Sequence, residues 1–166
     1  LRAQARSPQP ELAAGADVAK VLYVGFTPPA GVAQHLVKAI DQAQSEVLVQ
    51  AYGFTHNAIA QALLRAQQRG VKVHVLLDQK SSQTNRYVID LFRDAALPVK
   101  FDGAHAIAHN KVMVIDASVV VTGSYNFTNS ADSRNAENIL VLRSTELARR
   151  YRENWQRLQV AAVNGP

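Results

Sequence analysis

Between Lys20 and Pro98 the apolar residues change period repeatedly, from short β-branched and aromatic runs to spacings of three and four. This alternation restricts the fold more than any other feature. KVLYVGF at Lys20 to Phe26 reads as a strand ended by Pro28 and Pro29. In GVAQHLVKAIDQAQ, Val32, Leu36, Val37 and Ile40 recur at helical spacing, so one helix face packs on a sheet. A strand over Ser45 to Phe54 follows, then a helix with Thr55 as its N-cap, Ile59, Leu63 and Leu64 as its stripe and Arg69-Gly70 as its stop. VKVHVLL is a buried strand. DQKSSQTN is a polar loop, and a third helix carries Val88, Leu91, Phe92 and Ala95 up to Pro98.

From Val99 the pattern turns to strands: VKFD, KVMVID, SVVVTGS and NILVLR, with Asp116-Ala117-Ser118 as a tight hairpin connection. Ser144 caps a last helix whose Leu147, Tyr151, Trp155 and Leu158 share a face. A βαβαβα half followed by a strand-rich half predicts an α/β fold, a mixed sheet flanked by helices on both faces. At 166 residues the chain holds one domain. We divide it into residues 1–19 as an N-terminal leader or tether, 20–160 as the folded domain and 161–166 as a C-terminal tail.

Composition excludes some chemistry. With no cysteine there is no disulfide, thiolate metal site or cysteine nucleophile. No apolar run approaches the roughly 18 residues that cross a bilayer, so stable membrane insertion is not expected. The net charge of +5 favours polyanions, a fact that gains weight only beside a phosphate-handling site.

HNKVMVIDASVVVTGSYNF supplies such a site. His109 and Lys111 stand two apart and share a face in an extended chain, as do Ser124 and Asn126. A neutral imidazole can attack phosphorus, an ammonium can neutralise a nonbridging oxygen, and small polar groups can donate further hydrogen bonds. By the same alternation Asp116 points away from His109 and Lys111, which gives it, with Gly123, a structural role in the hairpin.

The pattern His109-x-Lys111, Asp116, Gly123-Ser124 and then Asn126 resembles the HKD motif of the phospholipase D superfamily. One motif rather than two narrows the resemblance to small bacterial endonucleases, over about Val21 to Trp155. The segment around Tyr52, Phe54 and Thr55 and the run GSYNFT are similar as well. The resemblance implies a phospholipase D-like nuclease domain and a homodimer whose site forms where two motifs meet. It also implies a phosphohistidine on His109 and no cofactor or catalytic metal. Lys111, Ser124 and Asn126 would hold phosphate oxygens, and Glu137 would orient the histidine. DNA or RNA backbone is the implied partner, and a periplasmic or secreted location follows from the same likeness.

Other residues have plainer readings beside sharper ones. His105 and His109 have zinc-ligand spacing but no accompanying HExxH glutamate. Asp78, Gln79 and Lys80 read as a polar loop. Lys80 and Arg134 are candidate backbone contacts, and Tyr125 and Phe127 candidate base-stacking groups, with core packing the alternative for Phe127. Arg149, Arg150, Arg152 and Arg157 line the last helix, as a solvated face or a nucleic-acid track. The rival functions are a phospholipid phosphodiesterase or phosphatidyltransferase and a non-catalytic nucleic-acid-binding module.

Overall fold

The computed structural model describes residues 18–29 and 31–165, so the expected leader, apart from Val18 and Ala19, lies outside the described residues. The elements follow in the order β1 (Lys20–Thr27), α1 (Val32–Asp41), β2 (Glu46–Ala51), α2 (Asn57–Gln68), β3 (Lys72–Asp78), α3 (Arg86–Asp94), β4 (Val99–Asp102), β5 (Val112–Ile115), β6 (Val119–Gly123), α4 (Asn129–Ser133), β7 (Glu137–Arg143) and α5 (Thr145–Gln159). A short 3-10 turn, Gln79–Ser81, sits between β3 and α3.

All the strands join one sheet in the order β1-β7-β6-β5-β2-β3-β4. β2, β3 and β4, each joined to the next through a helix, run parallel. The rest pair antiparallel, and β1 closes against β7. The sheet is therefore mixed, with helices on both faces. Val47 and Val49 of β2 point into the larger core with Leu36, Ile40, Leu63 and Phe92 of α1, α2 and α3. Leu48 points the other way, to Trp155 and Leu158 of α5. Burial on both faces explains the near-continuous apolar run of β2. Ser144 caps α5 as its position predicts, its hydroxyl accepting from the Leu147 N–H at 3.1 Å.

Four features differ from the pattern. β2 stops at Ala51 rather than running on to Phe54, and α2 starts at Asn57 after His56, because the N–H groups of Thr55 and His56 both donate to the Phe127 carbonyl oxygen. α4 has no counterpart in the sequence reading. Its Asn, Ser and Asp residues favour caps and turns, and Thr128 starts it by accepting from the Ala131 N–H. In the stretch read as a tail, Val163 exchanges both backbone hydrogen bonds with Phe101 and so attaches to the outer edge of β4.

Asp116 anchors the far end of the sheet. It stands at the β5–β6 turn with φ +53° beside Ala117 at +51°, two left-handed residues that form the tight turn. Its carboxylate accepts from the N–H groups of Gln44, Ser45 and Glu46 and from the Ser45 hydroxyl, which pins the start of β2. Burial works against its ionisation. The donors from Ser45, Glu46 and Gln44 outweigh burial and hold the carboxyl below its ordinary range. Because the folded-state value is depressed, the stabilisation is present above the unfolded value and is lost as pH falls through the folded one. Asp116→Asn, which tolerates the left-handed backbone, is expected to cost about 1.5–3 kcal/mol at neutral pH. In urea unfolding the gap to the parent should narrow below about pH 4.

Candidate active site

The candidate site lies at the end of the sheet opposite Asp116, where the loop of residues 103–110 crosses from β4 to β5 with His109 exposed near its end. Buried carboxylates at the ends of two parallel strands hang this loop in place. Asp102, at the end of β4, accepts from the N–H groups of Ala104 and His105 and from His105 Nδ1 at 2.9 Å. Asp78, at the end of β3, accepts from the Ala108 N–H at 2.8 Å and from the Ser81 hydroxyl. Lys80 adds a third tie, donating to the Ala106 carbonyl oxygen at 2.6 Å.

A second support comes from the end of β2. Asn85 is buried, accepting from the Phe54 N–H at 2.7 Å and donating to the Tyr52 carbonyl oxygen at 2.8 Å. These bonds carry the chain out of the sheet and set the Tyr52 ring against His109, with ring centres 4.7 Å apart in an edge-on arrangement. Lys111 shares that ring, its Nζ 5.5 Å from the centre, and donates to the His109 carbonyl oxygen. His109 and Lys111 thus converge, although in an extended stretch before β5 rather than within it. Burial pushes the Lys111 ammonium below its ordinary value, while the nearby Glu137 carboxylate pulls it back up.

β6 and β7 bring in the remaining polar groups. β6 ends at Gly123, so Ser124 and Asn126 extend beyond it. The Ser124 hydroxyl donates to Glu137 Oε2 and accepts from the Asn138 N–H. The other Glu137 oxygen accepts from Asn135 Nδ2 at 3.3 Å. Asn126 Oδ1 accepts from the Gly53 N–H, next to Tyr52. Glu137 therefore lies close enough to act on Lys111, and its hydrogen bonds go to Ser124 and Asn135. Among the described residues, no group of three or more His, Asp or Glu side chains is placed to hold a metal ion.

Not every candidate faces the site. Tyr125 is buried at 1% exposure with its hydroxyl donating to Asp132, and Phe127 is wholly buried, so neither offers a face to a base. This corrects the reading of Tyr125 as a nucleic-acid contact. Alternation contained the signal: if Ser124 and Asn126 point outward, Tyr125 and Phe127 point inward. Arg134 is exposed at the end of α4. On α5, Arg149 and Arg150 pair with Glu146, and Arg152 with Glu46.

Comparison with known proteins identifies the family. The profile of the family described as cardiolipin synthase, PLD-like domain, matches residues 36–159. The chain belongs to the phospholipase D-like family. It is 44% identical over 130 residues to the phospholipase D of Rickettsia felis, covering 78% of this chain and 65% of that protein. It is 32% identical to the mitochondrial cardiolipin hydrolase of Mus musculus, covering 74% of this chain and 56% of that protein. It thus spans just under two thirds of the first relative and just over half of the second. The solved structure of Nuc, a phospholipase D family member from Salmonella typhimurium, superposes with a TM-score of 0.84 at 30% identity, over 89% of this chain and 98% of that one. NucT from Helicobacter pylori gives 0.76 at 25% identity, over 89% and 99%.

The motif glycine has a physical reason in the structure. Gly123 has φ +154°, and a Cβ there would fall on the Asn138 carbonyl oxygen and the Ile139 backbone. Only a bare backbone lets β6 approach β7 closely enough for Ser124 to reach Glu137. Gly123→Ala is expected to cost about 2 kcal/mol or more of unfolding free energy, measured by urea unfolding. Gly70→Ala, with positive φ but open space around it, should cost about 1 kcal/mol.

Proposed function

We propose that the protein is a metal-independent endonuclease that hydrolyses phosphodiester bonds of DNA, with RNA as a second substrate, at a site shared by two copies of the chain. The observation that carries this reading is the meeting of an exposed His109 and a buried Lys111 on the Tyr52 ring. The imidazole is free to approach a diester in solvent, and burial keeps the ammonium ready to meet an anionic oxygen.

In the first step Nε2 or Nδ1 of one His109 bonds to phosphorus. The bond from phosphorus to the leaving oxygen breaks, and that oxygen takes a proton from a second imidazole. In the second step this imidazole, now neutral, removes a proton from water, whose oxygen displaces the histidine from phosphorus. One side chain cannot be nucleophile and acid in the same step, so the chemistry calls for a second His109, supplied by a second copy of the chain across a two-fold axis. Lys111, Ser124 and Asn126 hold the phosphate oxygens, and Glu137, which accepts from Ser124 and Asn135 within one copy, orients the histidine in the paired site. The sheet supports a paired arrangement: Val24 and Phe26 of β1 are 48% and 67% exposed, and Phe26 pairs with Asn138 beside Ser124. Covering them would remove an apolar surface from water next to the catalytic end.

The names of the relatives favour a second reading, hydrolysis of a phospholipid diester. No helix among the described residues is long and apolar enough to cross a membrane. Plasmid cleavage in excess EDTA tests the leading reading. The parent protein is expected to cut, and His109→Ala to cut at least a thousandfold more slowly. Loss of parental cleavage in EDTA would overturn the metal-independent mechanism, and headgroup release from vesicles without any nuclease activity would favour the lipid reading.

A further inference from the structure

A recess of about 210 Å³ opens beside His109, between the 103–110 loop and the last turns of α5. His105, His109 and Asn110 form one wall, and Asn154, Arg157 and Leu158 the other. We infer that this recess is an anion subsite that holds the phosphate next to the one His109 attacks, on the same nucleic-acid strand. The inference rests on the nuclease reading above and adds to it where the strand runs.

Charge distribution on α5 carries the argument. Arg149, Arg150 and Arg152 are each neutralised by a carboxylate at 3.0 Å or less. Arg157, in the last turn of the same helix, makes no ion pair among the described residues and donates to Asn154 Oδ1 at 2.7 Å. That bond directs the guanidinium within the recess and leaves its remaining donors unassigned. Asp102 also lines the recess, but its oxygens are turned to the loop N–H groups and to His105 Nδ1. The bond to Asp102 in turn fixes the imidazole of His105 in the wall of the recess. An arginine guanidinium and the side-chain amides of Asn110 and Asn154 around one small opening suit a phosphate diester, which presents several acceptor oxygens and a single charge. Arg157 also lies in a shallow groove with Arg149, Arg150, Glu153 and Asn154, where Glu146 and Glu153 already pair with Arg149 and Arg150, so Arg157 is the cation of that groove without a carboxylate partner among the described residues.

The site extends the substrate requirement from one phosphate to two. A substrate with a single diester fills only the reacting position, whereas an oligonucleotide fills both. The test is steady-state hydrolysis, in EDTA, of a single-stranded oligonucleotide and of bis(p-nitrophenyl) phosphate, which has one phosphate. Arg157→Ala is expected to lower the ratio of the two kcat/KM values about tenfold, the effect of one charge-assisted contact. It should also reduce the salt slope of oligonucleotide cleavage by about 0.7. Arg157→Lys should retain part of the ratio. Lys72→Ala removes an equal charge at the far end of β3 and should leave both ratio and slope as in the parent.

An unchanged ratio, or an equal fall on both substrates, would overturn the subsite while leaving the nuclease reading in place. A parent that hydrolyses the single diester but no oligonucleotide would remove the nuclease reading and the subsite together. A loss confined to vesicles of a phospholipid with two phosphates would assign the recess to lipid and overturn the nucleic-acid assignment.

Discussion

The buried amide of Asn85 is the interaction on which the catalytic end depends. A strand that ends inside a protein leaves N–H and C=O groups that cost free energy unless something replaces the ladder. At the end of β2 the replacement is one side chain, which takes the Phe54 N–H and the Tyr52 carbonyl oxygen together. The chain can then leave the sheet at a defined angle, and the Tyr52 ring becomes a fixed wall for His109 and Lys111. The ends of β3 and β4 follow the same rule, with Asp78 and Asp102 accepting from the loop that carries His109. Side-chain acceptors on neighbouring strands thus hold an irregular, exposed loop in one shape.

Much of this was legible in the sequence, and what was not has a common cause. α2 and α5 could be read because their apolar stripes are local, as could the mixed sheet from the change of period at Val99. Extended spacing put His109 with Lys111 and Ser124 with Asn126 on shared sides, and the family resemblance added Glu137. The end of β2, by contrast, is decided by Asn85, 31 residues away from Phe54, and by Asn126, 73 away from Gly53. Nothing near Tyr52 announces either partner. Asp78 looked like the start of a polar loop because its acceptor role appears only when Ala108 is brought beside it.

Tyr125 shows a different failure. It stands between two polar site residues, and its ring suggested stacking. The structure uses it as a core residue, its hydroxyl satisfied by Asp132, which also accepts from the Ala33 N–H at the start of α1. The residue ties the segment after β6 to the first helix, so its position next to the site reflects packing rather than recognition.

The family motif spans β5 from one end to the other. His109 and Lys111 precede its first residue, Asp116 follows its last, and Gly123-Ser124 marks the return of β6 to the catalytic end. The intervals between those letters therefore measure out one strand, one turn and one strand back. Adding or removing a single residue between Lys111 and Gly123 would put the two halves of the motif out of phase, swapping inward and outward positions over the whole hairpin. The stretch should therefore tolerate changes of residue type far better than changes of length.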